Sequence, residues 1–83
     1  MNDVQKRGLA RLMLRWPQRR MELRQKCSSG AGLLDLCEVY QVTCEAASYW
    51  EKITSPAGEA RAEEYRALAL EIEREVNEAL ASV

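Results

Sequence analysis

Two short breaks, both rich in small residues, divide this chain into three segments that have helical periodicity. The breaks are the runs Ser-Ser-Gly-Ala-Gly at 28–32 and Thr-Ser-Pro-Ala-Gly at 54–58. Clusters of Gly, Ser and Pro between periodic segments mark loops, and Ser followed by Pro is typical of a helix start. Three helices joined by short loops form an up-down-up bundle, so an all-α fold is predicted. Residues 1–83 are expected to form one small domain.

Helix one is expected over residues 3–26, and a proline interrupts it at position 17. A proline inside a helix removes one backbone hydrogen bond and clashes with the carbonyl four residues earlier. The helix therefore either kinks at Pro17 or breaks near Arg15 and restarts with Pro17 in its first turn. We favour the kink, with Leu23 and Cys27 continuing the apolar face.

Helix two is expected over residues 31–53 and is apolar around most of its circumference. The apolar face contains Leu33, Leu36, Cys37, Tyr40, Cys44, Ala47 and Trp50, and Val39, Val42, Ala46 and Ile53 widen it. The polar strip is narrow and contains Glu38, Gln41, Glu45, Ser48 and Lys52. A helix of this kind is usually covered by more than one neighbour, so helix two is predicted to be central.

Helix three is expected over residues 56–81, with Ser55 as its N-cap. Its apolar residues step by three and four along a narrow seam, which is close to a coiled-coil stripe. Four of them, Tyr65, Leu68, Ile72 and Val76, are the candidate interface residues. The alternative to a three-helix bundle is a helical hairpin, made of helices two and three, that dimerises through its apolar faces.

The charges are distributed unevenly, although the formal net charge is only −1. Residues 1–27 contain eight basic and two acidic residues, whereas residues 28–83 contain four basic and eleven acidic residues. The candidate anion-binding residues form a row with a spacing of four: Arg7, Arg11, Arg15 and Arg19. Such a row could bind the phosphates of nucleic acid or of an anionic lipid, or the carboxylates of an acidic protein. Nucleic acid is not favoured, because the whole domain is slightly acidic. The alternative is that the two parts neutralise each other within one fold.

The cysteines do not form a recognisable reactive site. Cys37 and Cys44 are seven residues apart, about 10.5 Å along a helix, which is too far for a disulfide or a shared zinc ion. Both are predicted to be buried thiols. Cys27 lies near Lys26 and Arg24, whose charges would lower its pKa, so it is the one candidate for reactivity.

An enzyme is the least expected class, because no combination of residues for catalysis is evident. The chain contains no histidine and no glycine-rich phosphate loop, and we predict no catalytic, metal-binding or cofactor-binding residues. No small-molecule substrate is evident either.

The sequence favours a module that works by contact with other proteins. The three cysteines and the lack of a secretory signal favour the cytoplasm, and no stretch approaches the roughly 20 apolar residues of a membrane span. The expected function is protein–protein interaction or homo-oligomerisation through the apolar faces of helices two and three. The alternative is a regulatory protein that binds nucleic acid or another polyanion through the basic face of helix one.

Overall fold

The computed structural model describes residues 1–81, and every secondary-structure element in that range is helical. Four α-helices follow one another: α1 (Asp3–Arg15), α2 (Arg20–Ser29), α3 (Ala31–Glu51) and α4 (Pro56–Ala81). A single 3₁₀ turn, Pro17–Arg19, lies between α1 and α2. The predicted all-α class is confirmed, but the described chain contains four helices rather than the three of the predicted bundle.

The additional helix results from a break at Pro17, so the kink that the sequence favoured is wrong. α1 ends at Arg15, and Trp16 has the non-helical dihedrals φ −130° and ψ 76°. Proline disfavours the α conformation in the residue before it, which explains why the chain turns at Trp16. Leu23 and Cys27 are nevertheless buried as predicted, because α2 folds back onto the other helices.

α3 and α4 form an antiparallel hairpin. The Tyr40 hydroxyl contacts Glu73 near the middle of the hairpin, and Arg66 contacts Glu51 closer to the loop, so the two helices run in opposite directions. α4 has the predicted bounds, and the Gly58 amide donates to the Ser55 hydroxyl at 3.0 Å, which confirms the predicted N-cap. α3 ends two residues before the predicted position 53, at Glu51.

The core lies at one end of this hairpin. Its buried members are Leu9, Leu12, Leu23, Cys27, Leu33, Cys37, Tyr40, Ile72, Val76 and Leu80. Those from α3 belong to its first half and those from α4 to its second half. α1 and α2 therefore cover only the end of the hairpin that lies away from its loop.

Gly8 lies where α1 packs closest to α3. An ideal Cβ placed on Gly8 would overlap the backbone carbonyl of Cys37. Only a residue without a side chain fits at this point, so Gly8 sets the close approach of the two helices.

Candidate interaction surface

α3 has a second apolar face that is exposed on its outer side. Its residues are Val39, Val42, Ala46 and Tyr49, which we call the outer seam. The exposed fractions of Val39, Val42 and Tyr49 are 49%, 57% and 60%. At 100° per residue these positions lie roughly opposite the buried Cys37. Spacings of three, four and three residues are those of the a and d positions of a coiled coil, the positions that pack against a partner helix.

One flank of the outer seam is charged and the other is apolar. Glu38 and Glu45 lie on the charged flank, and Lys52 follows at the same heptad position, in a helical conformation at the end of α3. Trp50 belongs to the other flank, and its ring packs edge-to-face against Tyr49 with 5.2 Å between the ring centres. This contact limits the freedom of the exposed Tyr49 ring.

The sequence placed Val39, Val42 and Ala46 on the same broad apolar face as Cys37, Tyr40 and Ala47. The structure divides them between two faces, with Cys37, Tyr40 and Ala47 inside and Val39 and Val42 outside. The three-and-four spacing of the outer seam is visible in the sequence and is the signal that would have separated the two faces.

The predicted interface on α4 lies partly inside the molecule. Ile72 and Val76 are 2% and 0% exposed and belong to the core, because this side of α4 packs against α3. Tyr65 is half-buried, and Leu68 is 45% exposed. Of the four predicted residues, Ile72 and Val76 are therefore not available to a second chain in this fold. The exposed large apolar side chains of the hairpin are Val39, Val42 and Tyr49 on α3 and Leu68 and Leu70 on α4.

The first two arginines of the basic row face α3. An Nη atom of Arg7 lies 3.6 Å from a carboxylate oxygen of Glu45. The Nε atom of Arg11 donates to the side-chain oxygen of Gln41 at 2.8 Å, and Gln41 in turn donates to Glu45 at 2.8 Å. Gln41 is only 2% exposed, so this part of the predicted polar strip faces α1 rather than solvent.

The other two arginines contact α4 and their own segment. The Nε atom of Arg15 lies 3.4 Å from Glu73, and Arg19 donates to Glu22 at 3.0 Å and also to Asn77. All four candidate anion-binding residues thus have partners within the chain. In the fold, the basic segment lies against acidic and amide groups of the following helices.

Glu73 is the one buried carboxylate within residues 1–81, and two neighbours satisfy it. The Tyr40 hydroxyl donates to one of its oxygens at 2.7 Å, and Arg15 approaches the other. Burial raises the pKa of Tyr40, and the hydrogen bond to Glu73 raises it further because it needs the protonated phenol. This arrangement ties α1, α3 and α4 together and is structural in character.

The thiols are arranged differently from the expectation. Cys27 is buried, and burial raises its pKa, which corrects the prediction that Lys26 and Arg24 would lower it. Its Sγ atom lies 4.0 Å from that of Cys37. Sequence reasoning compared Cys37 with Cys44 along one helix and missed this contact, because it depends on how α2 folds back onto α3.

A groove of about 310 Å³ lies between α3 and α4 at the end that α1 and α2 leave uncovered. Cys44, Ala47, Ala69 and Leu70 are among its lining residues. The ion pair between Arg66 and Glu51, 2.9 Å long, lies at one end. The groove results from small side chains on the two helices.

Metal sites and membrane-spanning helices in the described part of the chain, and similarity to known proteins, give no lead to a function, so the proposal below is based on the surface geometry. Within residues 1–81, no group of three or more His, Cys, Asp or Glu side chains is placed to hold a metal ion. None of the helices in this range combines the length and the hydropathy that crossing a membrane requires. Comparison with protein-family models, curated proteins and solved structures finds no match to this chain.

Proposed function

We propose that this chain is a self-associating helical module, which forms an antiparallel dimer through the outer seam of α3. The observation that carries the proposal is the exposure of Val39, Val42 and Tyr49 in coiled-coil register on a helix whose other side is already buried. A contiguous row of exposed large apolar side chains is typical of an interaction surface. Burial of these side chains would supply the driving force.

A second copy of the chain fits this surface because the outer seam is self-complementary. In an antiparallel pair with a two-fold axis between Val42 and Ala46, Val39 of one copy lies opposite Tyr49 of the other. A two-fold interface uses the same patch on both copies. The small Ala46 leaves room opposite Val42, so the helices can approach at the axis.

The charges beside the outer seam favour the antiparallel arrangement over the parallel one. Positions on the same flank face each other in an antiparallel pair, so Glu38 of each copy lies opposite Lys52 of the other. Glu45 lies opposite Glu45 of the other copy, and Arg7, 3.6 Å from Glu45 within each chain, offsets this like-charge contact. In a parallel pair, Glu38 would lie beside Thr43, and no pair of opposite charges would form. The net charge of −1 adds little long-range repulsion between copies.

The first test is the substitution Val42→Glu. A carboxylate at the centre of the dimer would be buried next to apolar side chains, so we expect dissociation to monomers with the helical circular dichroism unchanged. Light scattering after size exclusion, over a range of loading concentrations, measures the mass. The matched control is Leu14→Glu on α1, where the leucine is 73% exposed and does not belong to the outer seam. A monomeric wild-type chain at high concentration would contradict the proposal, and so would a Val42→Glu chain that remains dimeric.

A charge exchange tests the orientation within the same proposal. Lys52→Glu places two acidic residues opposite each other and should weaken the dimer, whereas Glu38→Lys together with Lys52→Glu should restore it. Sedimentation equilibrium at low salt gives the dissociation constants. If the double variant is as weak as the single one, the antiparallel register is not the one that forms.

Binding of a polyanion through Arg7, Arg11, Arg15 and Arg19 receives less support. The partners of these side chains within the chain would have to be released before phosphates could be bound. The apolar side chains Val39, Val42 and Tyr49, by contrast, are already exposed.

A further inference from the structure

Two buried thiols from different helices lie against each other in the core. The Sγ atoms of Cys27 on α2 and Cys37 on α3 are 4.0 Å apart, and the two residues are 4% and 0% exposed. Only Gly30 separates the two helices along the chain. A disulfide bond is about 2.05 Å long, so the sulfur atoms would need to approach by roughly 2 Å. Rotation about the Cα–Cβ bonds and a small shift of α2 provide movements of this size.

We propose that Cys27 and Cys37 are an oxidative modification site, at which a hydroperoxide converts the two thiols into an intramolecular disulfide. With hydrogen peroxide, the sulfur of Cys27 attacks one peroxide oxygen, the O–O bond breaks, and one water leaves. The product is a sulfenic acid at Cys27. The sulfur of Cys37 then attacks the sulfenic sulfur, the S–S bond forms, and a second water leaves. Two thiols are oxidised by two electrons, and one peroxide is reduced to two waters.

The order of the two steps follows from the positions of the thiols. Cys27 retains slight solvent exposure near the end of α2, whereas Cys37 is fully enclosed in the middle of the core. Burial, with a smaller contribution from the neighbouring Cys27, raises the pKa of Cys37 to about 12, so Cys37 is a thiol at neutral pH. Its contact with the sulfur that is oxidised first places Cys37 for the second, resolving step, in which its proton leaves with the sulfenic hydroxyl as water.

The third cysteine provides an internal control. Cys44 lies seven residues after Cys37 on the same helix, about 10.5 Å away along its axis, and the two cannot be bridged while α3 is intact. The proposal therefore predicts one specific pair among the three cysteines. It also predicts slow oxidation compared with a free cysteine, because burial raises the pKa of Cys27 and reduces the fraction of reactive thiolate.

The test uses the full chain with the substitution Cys44→Ser, which leaves only the two thiols of the proposed pair. The protein is incubated with hydrogen peroxide, the peroxide is removed, and the chain is unfolded and treated with iodoacetamide. We expect an intact mass lighter by two hydrogen atoms, with no alkyl groups added, and a monomer band on a non-reducing gel. Reduction before alkylation should restore two alkylatable thiols.

Two variants show whether disulfide formation depends on the contact between Cys27 and Cys37. Cys27→Ala and Cys37→Ala, each with Cys44 retained, keep two thiols but should form no intramolecular disulfide under the same conditions. The oxidised Cys44→Ser chain should also unfold at a higher Tm than the reduced chain, because the bond closes a loop in the unfolded state. Recovery of two alkyl groups after prolonged oxidation would overturn the proposal, as would added oxygen without the loss of two hydrogens. Equal disulfide formation in Cys27→Ala would overturn it too.

Discussion

At the scale of single residues, the packing of α1 depends on the absence of a side chain at Gly8. The carbonyl group of Cys37 occupies the space that a Cβ would need. Gly32, in the first turn of α3, has no atom within 4 Å of the corresponding position. Both glycines are in helices. Comparing the same substitution at the two positions therefore separates the effect of close packing from that of helix propensity.

We expect Gly8→Ala to lower the free energy of unfolding by about 1–3 kcal/mol, because the methyl group forces α1 away from α3. Gly32→Ala should leave it unchanged or raise it by up to about 1 kcal/mol, because alanine has the higher helix propensity. Urea unfolding followed by circular dichroism measures both. Equal effects of the two substitutions would show that the helices do not meet at Gly8.

At the scale of the elements, α4 carries apolar residues in two very different surroundings. Ile72 is 2% exposed and belongs to the core, whereas Leu68, one turn earlier, is 45% exposed. Their spacing alone placed them in the same seam. Their burial separates them, because the helix is in contact with α3 along only part of its circumference.

We expect Ile72→Ala to lower the free energy of unfolding by about 2–5 kcal/mol, since it leaves a cavity in the core. Leu68→Ala should lower it by less than about 1 kcal/mol, because half of that side chain already faces solvent. Denaturant titration of both variants provides the comparison. A large loss for Leu68→Ala and a small one for Ile72→Ala would indicate that α4 presents a different face to α3.

Local signals predicted the helices better than they predicted the surfaces. Ser55 and Pro56 determine the start of α4, and the sequence was sufficient to place it. At Pro17 the local sequence allowed both a kink and a break. The break depends on the packing of α2 against the other helices, which the local sequence does not show. The two apolar faces of α3 were not separated, since periodicity shows which residues are apolar but not which neighbour covers them.

The basic row illustrates the same limit at a longer range. Its spacing and its position on one side of α1 were readable from the sequence. Its partners were not, because Glu45 and Glu73 come from two different helices and meet Arg7 and Arg15 only through the tertiary fold. A row of charges in a sequence therefore predicts which side of a helix is charged. Which groups bind those charges depends on the packing of the whole chain.

At the scale of the whole molecule, several buried groups are held in their protonated form. Burial raises the pKa of the thiols of Cys27, Cys37 and Cys44 and of the Tyr40 phenol. In each case the unfolded chain loses the proton at a lower pH than the folded chain. Stability contributed by these groups is therefore fully present at neutral pH and is lost as the pH rises.

We expect the free energy of unfolding to fall as the pH is raised from about 9, where an unfolded thiol ionises, towards 12, where Cys37 ionises in the folded chain. One fully buried group contributes a slope of at most about 1.4 kcal/mol per pH unit. Urea unfolding under reducing conditions at a series of pH values measures the slope. Cys37→Ala should flatten it, and an unchanged slope in that variant would contradict the assignment.

The partial cover of the α3–α4 hairpin has a consequence for its motion. At one end, two further helices must separate before the backbone amides of α3 and α4 can reach water. At the other end, near the loop after Glu51, only the groove-forming contact between the two helices has to open. Local opening costs less free energy where fewer apolar contacts are broken. Amide hydrogens of α3 and α4 should therefore exchange with solvent fastest near the loop. Exchange should be slowest at the other end, where Leu12 and Val76 are buried.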